Sequence, residues 1–273
     1  MSSNLLPLVC EVHELTAVLD NPELLIVDLS SVDDYTRGHI PGARHVDYPE
    51  ILGASPPVMG LLPDLQTFAA VLARIGWTPD KHVVACDNEG GGRAARLLWT
   101  LEIAGHKKIS LLNGGMHAWT GGELPLTTSK PEPGTGTVDI KWSNTSLIAD
   151  RDFIENNLAN PDVTFLDART PAEYAGTDIR AARGGHIPGA TNLNWLDCMD
   201  RNNQLRLLPD AELQQMLDER NIKPDQDIVN YCHTHHRSAL NYLILKKLGY
   251  PKVRGYPGSW SDWGNQPETP IDN

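Results

Sequence analysis

The hexapeptide Gly-His-Ile-Pro-Gly-Ala occurs twice in this chain of 273 residues, starting at Gly38 and at Gly185. Further features recur in the same order: Asp28 and Asp167 after apolar runs, Leu-Pro-Asp at 62–64 and 208–210, Asp87 and Cys232 after strand-like runs, Gly105 and Gly249, and Trp119 and Trp263. A register held over so many features predicts a duplicated domain. The offset grows from 139 residues at the acids to 147 at the hexapeptide, which places an insertion between Thr170 and Gly184.

Each half alternates apolar, strand-like runs with segments of helical periodicity. Runs such as Leu24–Asp28 are apolar throughout, as expected for a buried parallel strand. This pattern predicts an α/β fold with two tandem domains, each a mostly parallel sheet flanked by helices on both faces. We predict domains at residues 1–126 and 144–273, joined by a linker at 127–143 that begins with a segment rich in Pro, Gly and Thr.

The composition restricts partners and compartment. A net charge of −12 argues against general binding to nucleic acid or acidic membranes. No apolar run approaches the ~18 residues of a membrane span, and the first ten residues lack the basic region of a signal peptide, so we expect a cytoplasmic protein. The four cysteines form no C-x-x-C pair, which favours reduced thiols over a disulfide framework or a zinc knuckle: Cys10, Cys86, Cys198 and Cys232.

Cys232 lies between a strand-like run at 227–231 and a segment of helical periodicity that begins within about six residues. The loop from Cys232 to Arg237 should therefore lie at a helix N-terminus, where free N–H groups and the helix dipole stabilise an anion. Such cysteines near cations have pKa values of roughly 3.5 to 7.5, against about 8.5 when free. We predict a nucleophilic thiolate at Cys232 in a loop that also binds an anionic substrate through His233, Thr234, His235, His236 and Arg237.

Structural interpretations of the same residues remain open. Cys232 could be an inert core thiol, and Arg237 could serve a structural salt bridge. The loop histidines could bind zinc or copper, but H-x-H-H in a tight turn does not match structural zinc spacings, so we predict no metal and assign the imidazoles to local potential or pocket shape. His39 and His186, in the repeated hexapeptide, are predicted to be structural.

These features together resemble the tandem-domain form of the rhodanese family of sulfurtransferases, over nearly the whole chain. The resemblance rests on the duplicated L-x-D and G-H-I-P-G-A framework, the Cys232–Ser238 loop, the closing 258–263 segment, and Asp87, which takes the place of the cysteine in the first half. The loop is similar to that of a bacterial thiosulfate sulfurtransferase subgroup with C-[QH]-T-H-H-R-S.

The resemblance implies a ping-pong reaction without a cofactor. Cys232 takes the outer sulfur of thiosulfate, sulfite leaves, and the persulfide passes its sulfur to a thiophile such as cyanide, a small thiol or a protein. Backbone N–H groups of the loop would hold the persulfide and Arg237 the sulfonate. The resemblance also assigns substrate contact to Arg183 or Arg180 from the insertion, with Arg183 preferred, a pocket wall to Trp195, and bracing of the loop to Asp167 and Arg169.

Other activities stay open beside this one. Mercaptopyruvate is an alternative donor, although the loop lacks the C-G-S-G-V-T of enzymes that use it. A phosphatase is disfavoured because four residues, rather than five, separate Cys232 from Arg237. The chain could instead be a sulfur or selenium carrier, or a redox sensor. The first domain alone could be an inactive binding module, because Asp87 cannot carry sulfur.

Overall fold

The computed structural model describes residues 4–273, which form two compact units. The first unit consists of the residues up to Ile51, Pro63–Asn144 and Asp200–Leu207. The second consists of Leu52–Leu62, Thr145–Met199 and Leu208–Asn273. Each unit therefore takes one short segment from the other half of the sequence. The predicted boundaries at 1–126, 127–143 and 144–273 place Leu52–Leu62 in the first domain and Asp200–Leu207 in the second. The boundaries stay a prediction.

Short strands and helices alternate along the chain. The strands are β1 (Val9–Cys10), β2 (Leu24–Asp28), β3 (Arg44–His45), β4 (Gly53–Ser55), β5 (Val58–Leu61), β6 (His82–Cys86), β7 (Ile109–Leu112), β8 (Val163–Asp167), β9 (Thr191–Asn192), β10 (Met199–Asp200), β11 (Arg206–Leu207), β12 (Asp227–Tyr231) and β13 (Val253–Gly255). The α-helices are α1 (Val12–Thr16), α2 (Val32–Arg37), α3 (Leu65–Arg74), α4 (Gly92–Ile103), α5 (Gly115–Gly121), α6 (Arg151–Asn157), α7 (Pro171–Tyr174), α8 (Asp210–Asp218), α9 (Arg237–Lys247) and α10 (Ser259–Trp263). Single 3-10 turns lie at Tyr48–Ile51, Thr145–Leu147 and Trp195–Cys198.

The first unit contains a five-stranded sheet in the order β1-β7-β6-β2-β3, and all four strand pairs are parallel. The central strands are buried because their side chains are apolar on both faces: all of β6 and all of β2 except Leu24 are shielded from solvent. One core cluster joins strand residues such as Ile26 and Val84 to Leu15 of α1 and Trp119 of α5.

The second unit repeats this design with four parallel strands in the order β13-β12-β8-β9. Its core cluster packs Phe165 and Val229 of the sheet against Trp260 and Trp263 of α10. The pairing of β8 with β12 aligns Asp167 with Tyr231, so the two strands end side by side. The predicted α/β architecture of two mostly parallel, helix-flanked sheets is confirmed.

The helices of both units are short. The longest, α4, has 12 residues. Over residues 4–273, no helix has the length and apolar character needed to cross a membrane.

Candidate active site

Cys232 follows the last residue of β12 and precedes α9 by five positions. In parallel sheets of this kind, ligands bind outside the carboxyl ends of the strands, and this thiol lies at such an end. The sulfur-bearing side chain is fully buried, whereas His233, Thr234, His236 and Arg237 remain partly exposed. The Cys232 carbonyl accepts a hydrogen bond from the Trp260 N–H at 3.0 Å. The loop therefore wraps around the thiol and presents its own side chains to solvent.

The loop lowers the pKa of Cys232 to about 7. Burial alone raises this pKa, but it is outweighed by the positive charge of Arg237 and by hydrogen bonds from the Ser238 hydroxyl and from the backbone N–H groups of Ser238 and Thr234. The loop therefore favours the thiolate near neutral pH more than water does for a free cysteine. This agrees with the predicted activation of the thiol at the N-terminus of α9.

The other three cysteines lack such an environment. Burial and nearby carboxylates raise the pKa of Cys10 to about 12, and burial and Asp197 raise that of Cys198 to about 12. Burial, followed by the charges of Asp28 and Asp87, raises the pKa of Cys86 well above its ordinary value. All four thiols are buried, so the surroundings rather than exposure distinguish Cys232 as the candidate nucleophile.

Glu173 binds the guanidinium of Arg237. It is not among the site residues predicted from the sequence. Two charge-assisted hydrogen bonds join the side chains: Nη1 to Oε2 at 2.6 Å and Nη2 to Oε1 at 2.8 Å. Glu173 is buried, and burial raises its pKa. The hydrogen bonds and charge of Arg237 outweigh burial and lower the pKa of Glu173 to about 2. Arg237 thus forms the salt bridge left open above and acts on Cys232 through its charge, while Glu173 occupies one edge of its fork.

The two candidate arginines of the insertion lie in different surroundings. The guanidinium of Arg180 lies 3.7 Å from Glu173 and 2.9 Å from Asp178, and its side chain is 53% exposed. The guanidinium of Arg183 donates to backbone carbonyls of the C-terminal segment, including those of Thr269 and Trp263 at 2.8 and 3.2 Å. These contacts tie Arg183 to the segment after α10, so the preference for Arg183 over Arg180 as substrate ligand has no support in the geometry.

The three histidines of the loop occupy three different environments. His233 is half-buried, and burial followed by the charge of Arg237 lowers its pKa. His235 is fully buried in the left-handed region, with φ +50°, and its Nδ1 lies 2.8 Å from the Ser238 hydroxyl. His236 is the N-cap residue of α9, and its ring lies 6.0 Å from that of Trp195. The histidines diverge, and no group of three or more metal-ligating side chains occurs within residues 4–273.

Asp167 and Arg169 form a buried ion pair at the end of β8. The Arg169 guanidinium binds both carboxylate oxygens, at 2.6 to 3.0 Å, and donates to the Gly185 carbonyl at 2.7 Å. It also stacks 4.4 Å above the Trp260 ring. The Trp260 N–H in turn donates to the Cys232 carbonyl, so Arg169 and Cys232 contact the same residue of α10. The bracing role of the pair stays a prediction.

Ser259, also missed in the sequence, fixes the backbone of the loop. Its hydroxyl oxygen accepts from the N–H groups of Cys232 and His235, at 3.3 and 3.0 Å. The hydroxyl donates to the backbone carbonyl of Tyr256 at 2.6 Å. The residue has φ +49°, a left-handed conformation unfavourable for a side chain. Its counterpart in the first unit is Gly115, with φ +51°, which adopts this conformation without strain.

Substitutions at Ser259 should separate the strain from the hydrogen bonds. Ser259→Ala loses the hydroxyl and keeps the strained φ, whereas Ser259→Gly loses the hydroxyl but relieves the strain. We therefore expect the glycine variant to be more stable than the alanine variant by about 1 kcal/mol, measured by urea unfolding. In both variants the His235 amide should exchange with solvent faster. An alanine variant as stable as the glycine variant would contradict the strain.

The hairpin of β4 and β5 covers one side of the loop. The Met59 N–H donates to the Ser261 hydroxyl at 2.9 Å, which attaches the hairpin to α10. Gly60 has φ +73°, and a Cβ at this position would lie 2.3 Å from the carbonyl oxygen of Thr234. Only glycine allows so close an approach. Nothing in the local sequence of the hairpin indicates this role, because the contact is 174 residues away along the chain.

The equivalent loop of the first unit already contains a carboxyl group. Asp87, the counterpart of Cys232, is fully buried, and its carboxylate accepts from the N–H groups of Glu89, Gly91 and Ala94 at 2.8 to 3.0 Å. Its side chain fills the cradle at the N-terminus of α4. The first unit therefore retains the anion-binding backbone and lacks the nucleophile.

Comparison with known proteins agrees with this geometry. The model of the rhodanese-like domain matches residues 11–121 and 150–266. A thiosulfate sulfurtransferase from Azotobacter vinelandii is 44% identical over 98% of this chain and 97% of its own, and a sulfur carrier protein from Thermus thermophilus is 31% identical over 93% and 92%. The crystal structure of a 3-mercaptopyruvate sulfotransferase from Escherichia coli superposes with a TM-score of 0.81 at 28% identity, covering 94% of this chain and all of the other. The chain belongs to the rhodanese family, with two rhodanese-like domains.

Proposed function

We propose that this protein is a thiosulfate sulfurtransferase that works through a persulfide on Cys232. The observation that carries the proposal is the lowered pKa of Cys232, in a loop whose N–H groups and Arg237 also favour an anionic ligand. The thiosulfate sulfurtransferase relative at 44% identity supports thiosulfate as donor. Mercaptopyruvate, the substrate class named for the Escherichia coli structure, remains the alternative donor.

The thiolate of Cys232 attacks the outer sulfur of thiosulfate. A new S–S bond forms, the S–S bond of thiosulfate breaks, and sulfite leaves with the bonding electron pair. The persulfide is itself an anion at neutral pH, and the loop N–H groups and Arg237 stabilise it as they stabilise the thiolate. Cyanide then attacks the outer sulfur, thiocyanate leaves, and the Cys232 thiolate is regenerated. No proton and no cofactor is needed in either half of the reaction.

The sulfonate of thiosulfate needs a cation near the loop that is accessible from solvent. We assign this role to Arg180, because its side chain is half exposed while it approaches Glu173, the partner of Arg237. His233, Thr234 and His236 form the partly exposed face of the loop, and Trp195, beside His236, forms a wall. Arg183 is assigned to holding the C-terminal segment.

A matched pair of variants tests this assignment. Arg180→Ala should raise the KM for thiosulfate by about tenfold or more, since it removes a charged hydrogen-bond donor to the substrate, and leave the thermal midpoint nearly unchanged. Arg183→Ala should lower the thermal midpoint and leave KM nearly unchanged. Steady-state kinetics beside thermal unfolding distinguish the two. The opposite pattern would return the substrate contact to Arg183.

The intact mass of the purified protein tests the proposed function directly. Thiosulfate should add one sulfur atom, and cyanide should remove it. Peptide mapping should place the added sulfur on the peptide that contains Cys232 and on none of those with Cys10, Cys86 or Cys198. An unchanged mass would reject thiosulfate as donor, and mercaptopyruvate would be tried next. Sulfur on another cysteine would reject Cys232 as the nucleophile.

A protein thiol is a second class of acceptor, favoured by the relative named as a sulfur carrier. In that role the Cys232 persulfide should discharge to a reduced protein thiol faster than to cyanide at equal concentration. Equal or slower discharge would leave a small thiophile as the acceptor. A cytoplasmic location stays part of the proposal, and the four free cysteines are compatible with it.

A further inference from the structure

The ion pair of Asp167 and Arg169 has an incomplete counterpart in the first unit. Asp28 ends β2 as Asp167 ends β8, and Ser30 follows it by two positions, as Arg169 follows Asp167. The local backbone is the same in both: the Ser30 N–H donates to Asp28 Oδ1 at 2.8 Å, and the Arg169 N–H donates to Asp167 Oδ1 at 2.9 Å. The first unit therefore keeps the carboxylate and lacks the guanidinium.

One oxygen of the Asp28 carboxyl group is buried without a hydrogen-bond partner in the described part of the chain. The residue is fully shielded from solvent, and its Oδ2 has no hydrogen-bond partner among residues 4–273. The nearby imidazoles are engaged elsewhere: His45 Nε2 lies 2.9 Å from the Ser30 carbonyl, and both ring nitrogens of His39 face backbone carbonyls. A buried acceptor in this state has a substantial desolvation cost. Burial accordingly raises the pKa of Asp28, against the lowering influence of Ser30, His45 and His39.

Asp28 is one of the residues that line a cavity of about 290 Å³. Its lining includes Ser30, the counterpart of Arg169. It also includes the counterparts of Asp167, Gly185 and Trp260, the residues that contact the Arg169 guanidinium: Asp28, Gly38 and Met116. The cavity thus corresponds to the space that the arginine side chain fills in the second unit. A methionine in place of the tryptophan leaves further room and supplies a polarisable, adaptable wall.

The charges around the cavity favour a cation. Asp34 and Arg37, on its rim, form an ion pair with each other, and the Asn88 amide donates to Asp34 at 2.5 Å. The rim charges cancel, so Asp28 is the acidic residue of the lining that has no cationic partner among the lining residues. His117, also on the rim, has its Nε2 2.9 Å from the Asn88 carbonyl.

We propose that this cavity of the first unit binds a small monosubstituted guanidinium compound, with its planar fork on the Asp28 carboxylate. A guanidinium fits better than an ammonium because its parallel N–H groups match both carboxylate oxygens. The alkyl substituent lies along Met116 and Leu126. It takes the place of the aliphatic part of the Arg169 side chain, which in the second unit is attached to the backbone. The site is separate from Cys232 and does not depend on the proposed sulfur transfer.

The test uses the full-length protein and ethylguanidinium at millimolar concentration, with binding measured by isothermal titration calorimetry. Ethylurea, which has nearly the same shape and no charge, and ethylammonium, which has the charge and no fork, serve as controls. We expect saturable binding of ethylguanidinium and affinities at least about tenfold weaker for both controls. Absence of ethylguanidinium binding, or equal binding of ethylammonium, would overturn the proposal.

Two variants locate the site. Asp28→Asn is isosteric and can still accept from the Ser30 N–H, so it should keep the fold, checked by circular dichroism, and weaken binding by at least about tenfold. Ser30→Arg should fill the cavity as Arg169 does in the second unit, abolish binding and raise the thermal midpoint. Undiminished binding in the Asp28→Asn variant would overturn the proposal, whatever the behaviour of Ser30→Arg.

Discussion

Replacing Cys232 by alanine is expected to reduce sulfur transfer from thiosulfate to cyanide by about 10⁴-fold or more, to the level of the uncatalysed reaction. The reason is that no other thiol can substitute: Cys10 and Cys198 have pKa values of about 12, and Cys86 is buried beside two carboxylates. The measurement is thiocyanate formation under steady-state conditions, together with the unfolding midpoint. Deletion of a buried sulfur should lower that midpoint only modestly.

The internal repeat provides a matched control at Asp87, the counterpart of Cys232. Asp87→Asn keeps the shape of the side chain and an oxygen for the loop N–H groups, so the first unit should remain folded and turnover should stay close to that of the unmodified protein. Residual turnover in the Cys232→Ala variant above the uncatalysed rate would place the nucleophile elsewhere. A loss in the Asp87→Asn variant comparable to that of Cys232→Ala would assign the first unit a part in the chemistry.

Replacing Arg237 by methionine is expected to raise the pKa of Cys232 from about 7 toward or above its ordinary value of 9.0, because burial then acts without the opposing charge. The thiolate fraction at pH 7 falls about fifty-fold, and the greater intrinsic nucleophilicity of a more basic thiolate offsets part of this. Alkylation by iodoacetamide at pH 7 should therefore slow by about five- to tenfold, and the midpoint of its pH profile should move upward. Turnover with thiosulfate should fall by about 100-fold, because stabilisation of the departing anion is lost as well.

Arg237→Lys serves as the charge-conserving control. Lysine keeps the positive charge and loses the two-pronged contact with Glu173, so the midpoint of the alkylation profile should remain near 7 while turnover falls less than in the methionine variant. An unchanged alkylation profile in Arg237→Met would show that backbone N–H groups and Ser238 alone activate the thiol.

Arg237→Met should also destabilise the fold in a pH-dependent way. In the intact pair the pKa of Glu173 is lowered from 4.5 to about 2, so the pair stabilises the protein above pH 4.5, and this contribution is lost as the pH falls toward 2. Arg237→Met leaves Glu173 buried without its main partner, at a cost of about 3 to 5 kcal/mol near neutral pH. Adding Glu173→Gln removes the unpaired charge, so the double variant should be more stable than the single one in urea unfolding. A double variant less stable than Arg237→Met would contradict this account.

The repeat explains why much of the fold could be predicted from the sequence. Duplicated signals fix the strands that end at Asp28, Asp167 and Tyr231, and the position of Cys232 between a strand and a helix fixes its location at a helix N-terminus. Local rules are sufficient for these features, because the interactions that define them lie within a few residues along the chain.

The parts of the site that were missed depend on contacts distant in sequence. Glu173 has a local signal, the Thr170–Glu173 capping box, but this describes only its role in α7 and gives no indication of Arg237, 64 residues later. The positive φ of Ser259 could not be predicted from the sequence, since serine rarely adopts a positive φ. The choice between Arg180 and Arg183 depends on where the insertion places each guanidinium, which neither composition nor spacing determines.

The exchange of Leu52–Leu62 and Asp200–Leu207 between the two halves affects how the protein is made. On the ribosome, the residues up to Asn144 emerge first, but the first unit is complete only after residue 207 has been synthesised. The hairpin that covers the Cys232 loop is made long before the loop itself and lacks this packing partner until then. A cut in the linker would therefore deprive each product of a segment that completes its unit and is encoded on the other side of the cut.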